Sequence, residues 1–200
     1  LAAISGCTAA GGTVLLARNS HKSAYHAVLL RGLHVHYIYP QPVGKMGING
    51  PVTAENVDRL LEEHPETKVV YITSPTYDGV VSDVEQIAEV VHRRKLPLIV
   101  DEAHGAHFPF SEQFPRDSVS CGADVVIHSV HKTLPSLTQT ALIHLNGDLI
   151  NREKIRYFLG VYQSSSPSYV MMAGIDQCME WVSSHRKEFD FFAQRLQEVR

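Results

Sequence analysis

Short runs of apolar and β-branched residues alternate along the chain with longer segments in which apolar positions recur at the period of a helix. The short runs predict β-strands at residues 13–17, 35–39, 68–73, 98–100, 124–128 and 140–145. The longer segments predict helices at residues 23–31, 54–63 and 84–94. Because strands and helices alternate, the order predicts an α/β fold with a mostly parallel mixed sheet flanked by helices.

Local signals refine the ends of these elements. Thr53 directly precedes one predicted helix and is expected to cap it, and Ser82 with Glu85 forms the pattern of a capping box before another. Residues 44–51 are rich in glycine and turn formers, so we expect an exposed loop there.

Helical patterns occupy both ends of the chain. Residues 1–10 resemble the later turns of a helix, and from residue 152 onward the pattern is mostly helical with a break at 164–167. The last amphipathic pattern, at 189–200, stops without an end signal. We therefore expect residues 1–200 to be one partial domain of a longer protein.

Composition excludes several classes of function. The chain has 200 residues, of which 44% are hydrophobic and 20% charged, a mixture able to fill a core. Its formal charge of −3 includes no basic run, which argues against nucleic acid or anionic lipid as partner. No apolar run approaches the roughly 18 residues of a membrane span. Three cysteines without CxxC spacing favour reduced thiols and a cytoplasmic location.

Polar residues interrupt the pattern where four of the predicted strands end. They are found at residues 19–21, 74–77, 101–104 and 129–132. In open α/β sheets, ligands bind beyond the carboxyl ends of the strands. We therefore expect these segments to line one crevice that binds a small molecule.

Asp101 and Lys132 suggest the chemistry of this crevice. Pyridoxal 5′-phosphate needs a lysine amine to hold its aldehyde as a Schiff base and a carboxylate against its ring nitrogen. Asp101 follows a buried apolar strand, where a carboxylate requires a cationic partner, and Lys132 follows the next strand. A helix cap or a salt bridge is the structural alternative for Asp101.

Two further residues have both a functional and a structural interpretation. Ser129 lies beside Lys132 and could bind the cofactor phosphate, although a serine at a turn often bonds only to its own backbone. His21 follows the first strand and could stack on the pyridine ring, or it could cap the helix that follows.

Five segments then stand in a fixed order along almost the whole chain. They are Asn19-Ser-His-Lys-Ser23, Thr73-Ser-Pro-Thr-Tyr-Asp-Gly79, Asp101-Glu-Ala-His-Gly-Ala-His107, His128-Ser-Val-His-Lys-Thr-Leu-Pro135 and Ser164-Ser-Ser-Pro-Ser-Tyr169. Together they resemble the major domain of the fold-type I ornithine/lysine/arginine decarboxylases. The resemblance implies an aspartate aminotransferase-like large domain, from which the N-terminal phosphate loop and the C-terminal small domain are missing.

The resemblance also implies roles for the residues of this sequence. Lys132 would hold the cofactor aldehyde, Asp101 would pair with the ring nitrogen, and His21 would stack on the ring. Ala103 and His104 would pack beside the ring, where some family members have an aromatic residue in place of His104. Ser129 and His131 would lie at the phosphate, and either His131 or Lys132 would protonate the product.

The implied enzyme is a pyridoxal-phosphate-dependent carboxy-lyase. It would convert arginine, lysine or ornithine to the amine and carbon dioxide, for polyamine biosynthesis or for acid resistance, as a homodimer or higher homo-oligomer. Another fold-type I enzyme, such as an aminotransferase, would use the same Lys132 and Asp101. A catalytically inactive homologue or fragment is the third possibility.

Two other sequence patterns, a DEAH motif and several histidine pairs, do not support a function of their own. Residues 101–104 spell DEAH, as in helicases, but the chain contains no GxxxxGK[ST] phosphate loop. Twelve histidines are present, with pairs such as His104 and His107, yet they lack the spacing of a metal site with cysteine ligands. The sequence therefore predicts neither a nucleotide-driven enzyme nor a bound metal.

Overall fold

A computed structural model describes residues 1–45 and 47–199 of the chain. Its strands are β1 (Thr13–Ala17), β2 (His34–Ile38), β3 (Pro42–Val43), β4 (Ile48–Asn49), β5 (Thr67–Thr73), β6 (Leu98–Asp101), β7 (Val125–His128) and β8 (Leu142–Leu145). Its helices are α1 (Ala2–Cys7), α2 (Lys22–Arg31), α3 (Ala54–Glu63), α4 (Val84–Arg93), α5 (Val130–Thr133), α6 (Arg152–Tyr162), α7 (Tyr169–Ser184) and α8 (Arg186–Val199), with a 3₁₀ turn at Phe108–Phe110.

Six strands form one mixed sheet in the order β2-β1-β5-β6-β7-β8. The first five run parallel, whereas β8 pairs antiparallel with β7. The register places Thr73 opposite Asp101, so the carboxyl ends of β5 and β6 lie side by side. The predicted α/β fold, a mostly parallel mixed sheet flanked by helices, is confirmed.

Alternating side chains of the strands build a core on each face of the sheet. On one face Leu15, Val70 and Val100 pack against α3 and α4. On the other face Val14, Tyr71 and Ile99 pack against α1, α2 and α6. This explains why the strands read as continuous apolar runs, since both faces of a parallel sheet are covered.

The starts of α3 and α4 differ in how well the sequence predicted them. Thr53 caps α3 as expected, because its Oγ1 accepts a hydrogen bond from Asn56 N at 3.3 Å. The predicted cap of α4 is wrong by one residue, since Asp83 and not Ser82 accepts from Gln86 N, at 3.1 Å. Ser82 is buried and its Oγ accepts from Val52 N at 3.0 Å, which joins the α4 entry to the segment before α3.

The predicted loop at residues 44–51 contains a regular element. Strands β3 and β4 pair antiparallel, with Val43 opposite Ile48, so that part of the expected loop is a short hairpin. Gly44 and Gly47 have positive φ in its turn, which glycine adopts without a steric penalty. Met46 in this loop and Arg200 in the last predicted helix lie outside the described residues.

Of the last three helices, α6 belongs to the core on one face of the sheet. A smaller cluster that includes Cys178, Val182 and Phe189 joins α7 and α8 to Val130 at α5. Within residues 1–45 and 47–199, all three cysteines are free thiols. No helix of the described ranges has the length and apolar character needed to cross a bilayer.

Candidate active site

A cavity of about 490 Å³ opens at the carboxyl ends of β1, β5, β6 and β7. It is lined by residues from all four of the strand ends at which the sequence predicted a crevice: Asn19, His21, Ser23, Thr73, Tyr77, Asp101, Ala103, His104, Ile127, Ser129 and Lys132. Of the residues that the sequence singled out for cofactor binding or catalysis, all except His131 are in this lining.

Asp101 ends β6 and is 7% exposed. Its Oδ2 accepts a hydrogen bond from the Tyr71 hydroxyl at 2.9 Å, and its Oδ1 accepts from Ala103 N at 3.2 Å. Burial raises the pKa of Tyr71 well above its ordinary value, and the neighbouring Asp101 charge adds to the rise, so Tyr71 stays a neutral donor. Among the described residues, Asp101 forms no salt bridge with a lysine, arginine or histidine.

Lys132 lies on the single turn of α5, directly after β7. Its Nζ lies 3.2 Å from His104 Nε2. Burial lowers the pKa of His104, and the Lys132 charge lowers it further, which favours the neutral imidazole, whose Nε2 can accept a hydrogen bond from Lys132 Nζ. His104 therefore contacts the lysine amine at the cavity wall, where the Lys132 side chain is exposed to solvent.

Tyr77 forms the outer wall beside His104. The two rings meet edge to face, with centroids 5.8 Å apart and planes at 79°. Tyr77 is 88% exposed, so this wall is open to solvent in the described chain. A second cavity, of about 440 Å³, shares Tyr77 and His104 with the first and extends toward α8.

His21 combines both interpretations that the sequence left open. It is the N-cap of α2, and its Nδ1 accepts a hydrogen bond from Ser23 N at 3.3 Å. The same ring lines the cavity. The cap therefore fixes the imidazole at the cavity wall, where stacking on a planar ligand remains a prediction.

Ser129 and His131 differ in what their side chains contact. Ser129 precedes α5 but makes no side-chain cap bond, so its hydroxyl is not used in the local turn that serines often form. His131 Nδ1 lies 2.8 Å from the carbonyl oxygen of Thr140 and donates to it, which holds the ring against the β8 side. The structure thus brings Ser129 into the cavity and leaves His131 outside the lining.

Comparisons with known proteins show the family of the chain. The family described as Orn/Lys/Arg decarboxylase, major domain, matches residues 1–198. The chain belongs to this family. The uncharacterized protein YaaO of Bacillus subtilis (strain 168) is 41% identical over 173 residues, covering 86% of this chain and 36% of that protein. An arginine decarboxylase of the same organism is 34% identical over 166 residues, covering 83% of this chain and 34% of the relative.

Solved structures share the fold. Lysine decarboxylase A from Pseudomonas aeruginosa superposes with a TM-score of 0.73 at 23% identity, covering 88% of this chain and 27% of that one. A serine palmitoyltransferase from Sphingomonas wittichii superposes with a TM-score of 0.71 at 19% identity, covering 92% and 44%. The chain therefore spans only about a third of the length of the curated relatives above, and its fold is that of pyridoxal-phosphate enzymes.

The Orn/Lys/Arg decarboxylase family implies pyridoxal phosphate, and the cavity has the groups to receive it. Thr73 Oγ1, Asn19 Oδ1 and His104 Nδ1 are buried without a hydrogen-bond partner among the described residues. Buried polar atoms are usually paired in native proteins, so these three atoms at one cavity are available to a polar ligand. Together with the amine of Lys132 and the carboxylate of Asp101, these hydrogen-bonding groups fit the cofactor.

A buried polar network lies beneath the site. Glu102 is 1% exposed, and its Oε1 accepts from Ser118 N at 3.0 Å and Ser118 Oγ at 2.6 Å. Its Oε2 lies 2.7 Å from His128 Nε2, and His128 Nδ1 lies 3.0 Å from His144 Nε2. Burial lowers the pKa of His144, and the His128 charge lowers it further. These contacts connect Glu102, directly after β6, to His128 of β7 and His144 of β8. The network therefore lies next to Asp101 and Ser129 in the chain.

Gly105 lets the segment after β6 pack closely against Glu102 and the loop after β5. A Cβ at Gly105 would lie 2.7 Å from Glu102 Cγ and 2.9 Å from Pro75 Cδ. Both distances are shorter than carbon atoms tolerate, so only glycine lets the segment after β6 approach the β5 loop. The segment at residues 101–105 therefore combines a carboxylate that lines the cavity, a carboxylate bound by the protein itself and a position that only glycine fits.

Sequence reasoning missed four cavity or support residues. Ser23, Thr73 and Ile127 line the cavity, and Tyr71 donates to Asp101. Thr73 ends the apolar run of β5 and Ile127 lies within that of β7, so the apolar pattern predicted no functional role for either residue. Tyr71 did offer one, because a tyrosine in a strand buried on both faces needs a partner for its hydroxyl.

Proposed function

We propose that the protein containing this chain decarboxylates a basic amino acid, arginine, lysine or ornithine, using pyridoxal 5′-phosphate. The observation that carries the proposal is that Asp101 and Lys132 line the same cavity. Asp101 is a buried carboxylate that accepts hydrogen bonds but forms no salt bridge among the described residues, and the amine of Lys132 lines the same cavity. A buried carboxylate is stable as an anion when a cationic group pairs with it, and a protonated pyridine nitrogen supplies that charge.

The residues of the cavity would hold the cofactor at distinct points. Lys132 Nζ would bind its aldehyde carbon, Asp101 would accept from its ring nitrogen, and Ser129 with Thr73 would offer hydroxyls to its oxygens. When bound, pyridoxal phosphate supplies an electron sink for the electron pair left at Cα as carbon dioxide departs. The role of each residue is a proposal that follows from its position in the cavity.

Lys132 is also the group best placed to move a proton. Its Nζ lies 3.2 Å from His104 Nε2 and lines the cavity, where the protonated amine could donate its proton to Cα. His131 was the other candidate, but its Nδ1 is bound to the Thr140 carbonyl outside the cavity lining. We therefore assign protonation of the product to Lys132 and orientation of its amine to His104.

The names of the relatives support the substrate class. An arginine decarboxylase from Bacillus subtilis and a lysine decarboxylase from Pseudomonas aeruginosa both match most of this chain. Among the described residues, Asp101 is the single carboxylate in the lining of the cavity that contains Lys132. We propose that it serves the cofactor and that the positive side chain of the substrate is bound by groups beyond this lining.

A homodimer in the cytoplasm remains our prediction for the assembly and its location.

The reaction can be tested by measuring carbon dioxide release and transamination in parallel, with arginine, lysine and ornithine as substrates. We expect release from at least one of the three and its loss in Lys132→Ala. Lys187→Ala is the matched control, because Lys187 is exposed on α8, outside the cavity, and its loss should leave activity unchanged. Transamination without carbon dioxide would indicate an aminotransferase. Bound cofactor with neither product would indicate an inactive homologue.

A further inference from the structure

Three potential metal ligands converge near the edge strand β2, away from the cavity. His36 projects from the middle of β2, and His64 and Glu66 belong to the connection between α3 and β5. The donor nitrogens of the two histidines and a carboxylate oxygen of Glu66 all lie within 4.8 Å of one another. Glu66 directly precedes the amino end of β5, whereas the cavity lies at the carboxyl ends of the strands.

The geometry is close to that of a metal site. Glu66 Oε1 lies 2.8 Å from His36 Nε2 and 3.7 Å from His64 Nδ1. In a tetrahedral zinc site with bonds of about 2.0–2.1 Å, ligand atoms lie roughly 3.3–3.4 Å apart. To bind one ion, the distance from Glu66 to His36 must increase and that from Glu66 to His64 must decrease, each by about half an ångström or less. The rings are stacked, with centroids 3.4 Å apart and planes at 8°, so they must also tilt to aim both nitrogens at one ion.

The local charges favour a cation. Glu66 forms its ion pairs in the described ranges with the two imidazoles alone, which are charged only when protonated. Nearby carboxylates of α3 have arginine partners: Glu63 pairs with Arg59, and Glu62 with Arg94. The last turn of α3 contains no basic residue, and the carboxyl end of a helix attracts positive charge.

The connection between the ligands also limits their freedom. Pro65 separates His64 from Glu66 and has a fixed φ, which shortens the range of positions that the two side chains can explore. His64 additionally ends α3, where its backbone N–H donates to the Leu60 carbonyl. Two of the three donors are therefore held by a constrained segment, and the third is held by a strand.

We propose that His36, His64 and Glu66 bind a divalent transition cation, Zn²⁺ foremost, with water in the fourth position. Imidazole and carboxylate ligands suit this class of ion, and three protein ligands leave one position open. The ion would connect the edge strand β2 to the α3–β5 connection. It would thus stabilise the sheet edge independently of the activity proposed for the cavity.

Titration of Zn²⁺ into metal-free protein by calorimetry tests the site. We expect one equivalent to bind and to raise the melting temperature, because an ion that binds only the folded state stabilises it. His36→Ala and His64→Ala should each weaken binding by more than about tenfold, since even outer-shell partners of a metal contribute that much. The visible absorption of Co²⁺ bound in four-coordinate form should appear in the unaltered protein and vanish in both variants.

Two controls separate this site from other histidines. His34→Ala alters an exposed histidine of the same strand that lies outside the cluster, and it should leave affinity unchanged. His104→Gln alters the cavity and should also leave this binding intact. Glu66→Gln provides a milder variant if an alanine variant misfolds, and it should weaken binding while preserving a hydrogen bond to His36. Absence of binding in the unaltered protein, or an affinity in His36→Ala and His64→Ala equal to that of the unaltered protein, would overturn the proposal.

Discussion

Asp101 and Glu102 are adjacent acidic residues, both buried, with opposite surroundings. The oxygens of Glu102 are occupied by protein groups: Ser118 through its backbone and hydroxyl, and His128 through its ring. Asp101 receives hydrogen bonds from Tyr71 and Ala103, has no cationic partner in the described chain, and lies at the cavity. One carboxylate is satisfied by the fold, whereas the other is left with a charge that a ligand can neutralise.

The comparison distinguishes a carboxylate that is buried to hold the fold together from one that is buried at a binding site. Side chains alternate between the faces of a strand, so two successive residues at the end of β6 point to different environments. A buried charge that is fully bonded contributes to a unique fold, and its loss destabilises the protein. A buried charge that lacks a partner costs stability and is retained where function needs it. Substitutions at the two positions should therefore have opposite effects.

The largest effect is expected from Asp101→Asn. Removing the charge that would hold the ring nitrogen protonated should lower turnover by roughly 100-fold or more, as expected when a preorganised electrostatic group is lost. The free energy of unfolding without cofactor should stay the same or rise, because an unpaired buried charge is removed. Steady-state kinetics and denaturant unfolding of the same variant check both parts. Turnover close to that of the unaltered protein would show that Asp101 has another role.

Glu102→Ala should show the reverse pattern. It leaves His128 and Ser118 without their shared acceptor, so the free energy of unfolding should fall by about 3 kcal/mol. Glu102→Gln is the matched control, because its amide can still accept from Ser118 and donate to His128 if the imidazole tautomers reverse. Urea unfolding should rank the unaltered protein and the Gln variant above the Ala variant. Equal stability of the Ala and Gln variants would contradict the structural role of the network.

A smaller effect is expected from Tyr71→Phe. This change keeps the ring in the core but removes the donor at 2.9 Å from Asp101. Asp101 retains its bond from Ala103 N, so the unfolding free energy should drop by only about 1.5 kcal/mol, the worth of a hydrogen bond to a charged group. Tyr37→Phe, a tyrosine change on β2 away from Asp101, serves as the comparison. Equal losses for the two variants would deny a specific contribution of the Tyr71 hydroxyl.

The smallest effect concerns pH. The pKa of His104 is lowered in the folded chain, so the unfolded chain binds more protons between that value and about 6.5. Stability should therefore fall as pH drops through about 6.5, and His107 and His144, with pKa values lowered mainly by burial, act in the same direction. His104→Gln should reduce the slope of unfolding free energy against pH between about 5 and 7. An unchanged slope would remove His104 from this account.

Much of the fold was predictable because it depends on local patterns. The strands at 13–17 and 68–73 and the helix at 54–63 were located within a residue of their ends, since apolar periodicity and Thr53 specify them directly. The α4 cap and the hairpin at Val43 and Ile48 were missed. Ser82 and Asp83 are both good caps, and only the burial of Ser82 against Val52 decides between them.

The site was predictable in its position more than in its contacts. Parallel strands bring Asp101 and Lys132 to one edge, and the sequence shows that they follow successive strands. The contact of Lys132 with His104 and the displacement of His131 toward Thr140 depend on side-chain orientation in the turn after β7. Similarly, the distance from His36 to Glu66 depends on the sheet order, which places β1 between β2 and β5.

Chemical trapping of the cofactor tests the central claim most directly. The protein that contains this chain is incubated with pyridoxal phosphate, reduced with borohydride, digested and analysed by peptide mass spectrometry. We predict one stable pyridoxyl adduct, on Lys132, together with loss of the visible absorbance of bound cofactor in Lys132→Ala and its retention in Lys187→Ala. An adduct on a different lysine, or unchanged absorbance in Lys132→Ala, would contradict the assignment of this cavity as the cofactor site.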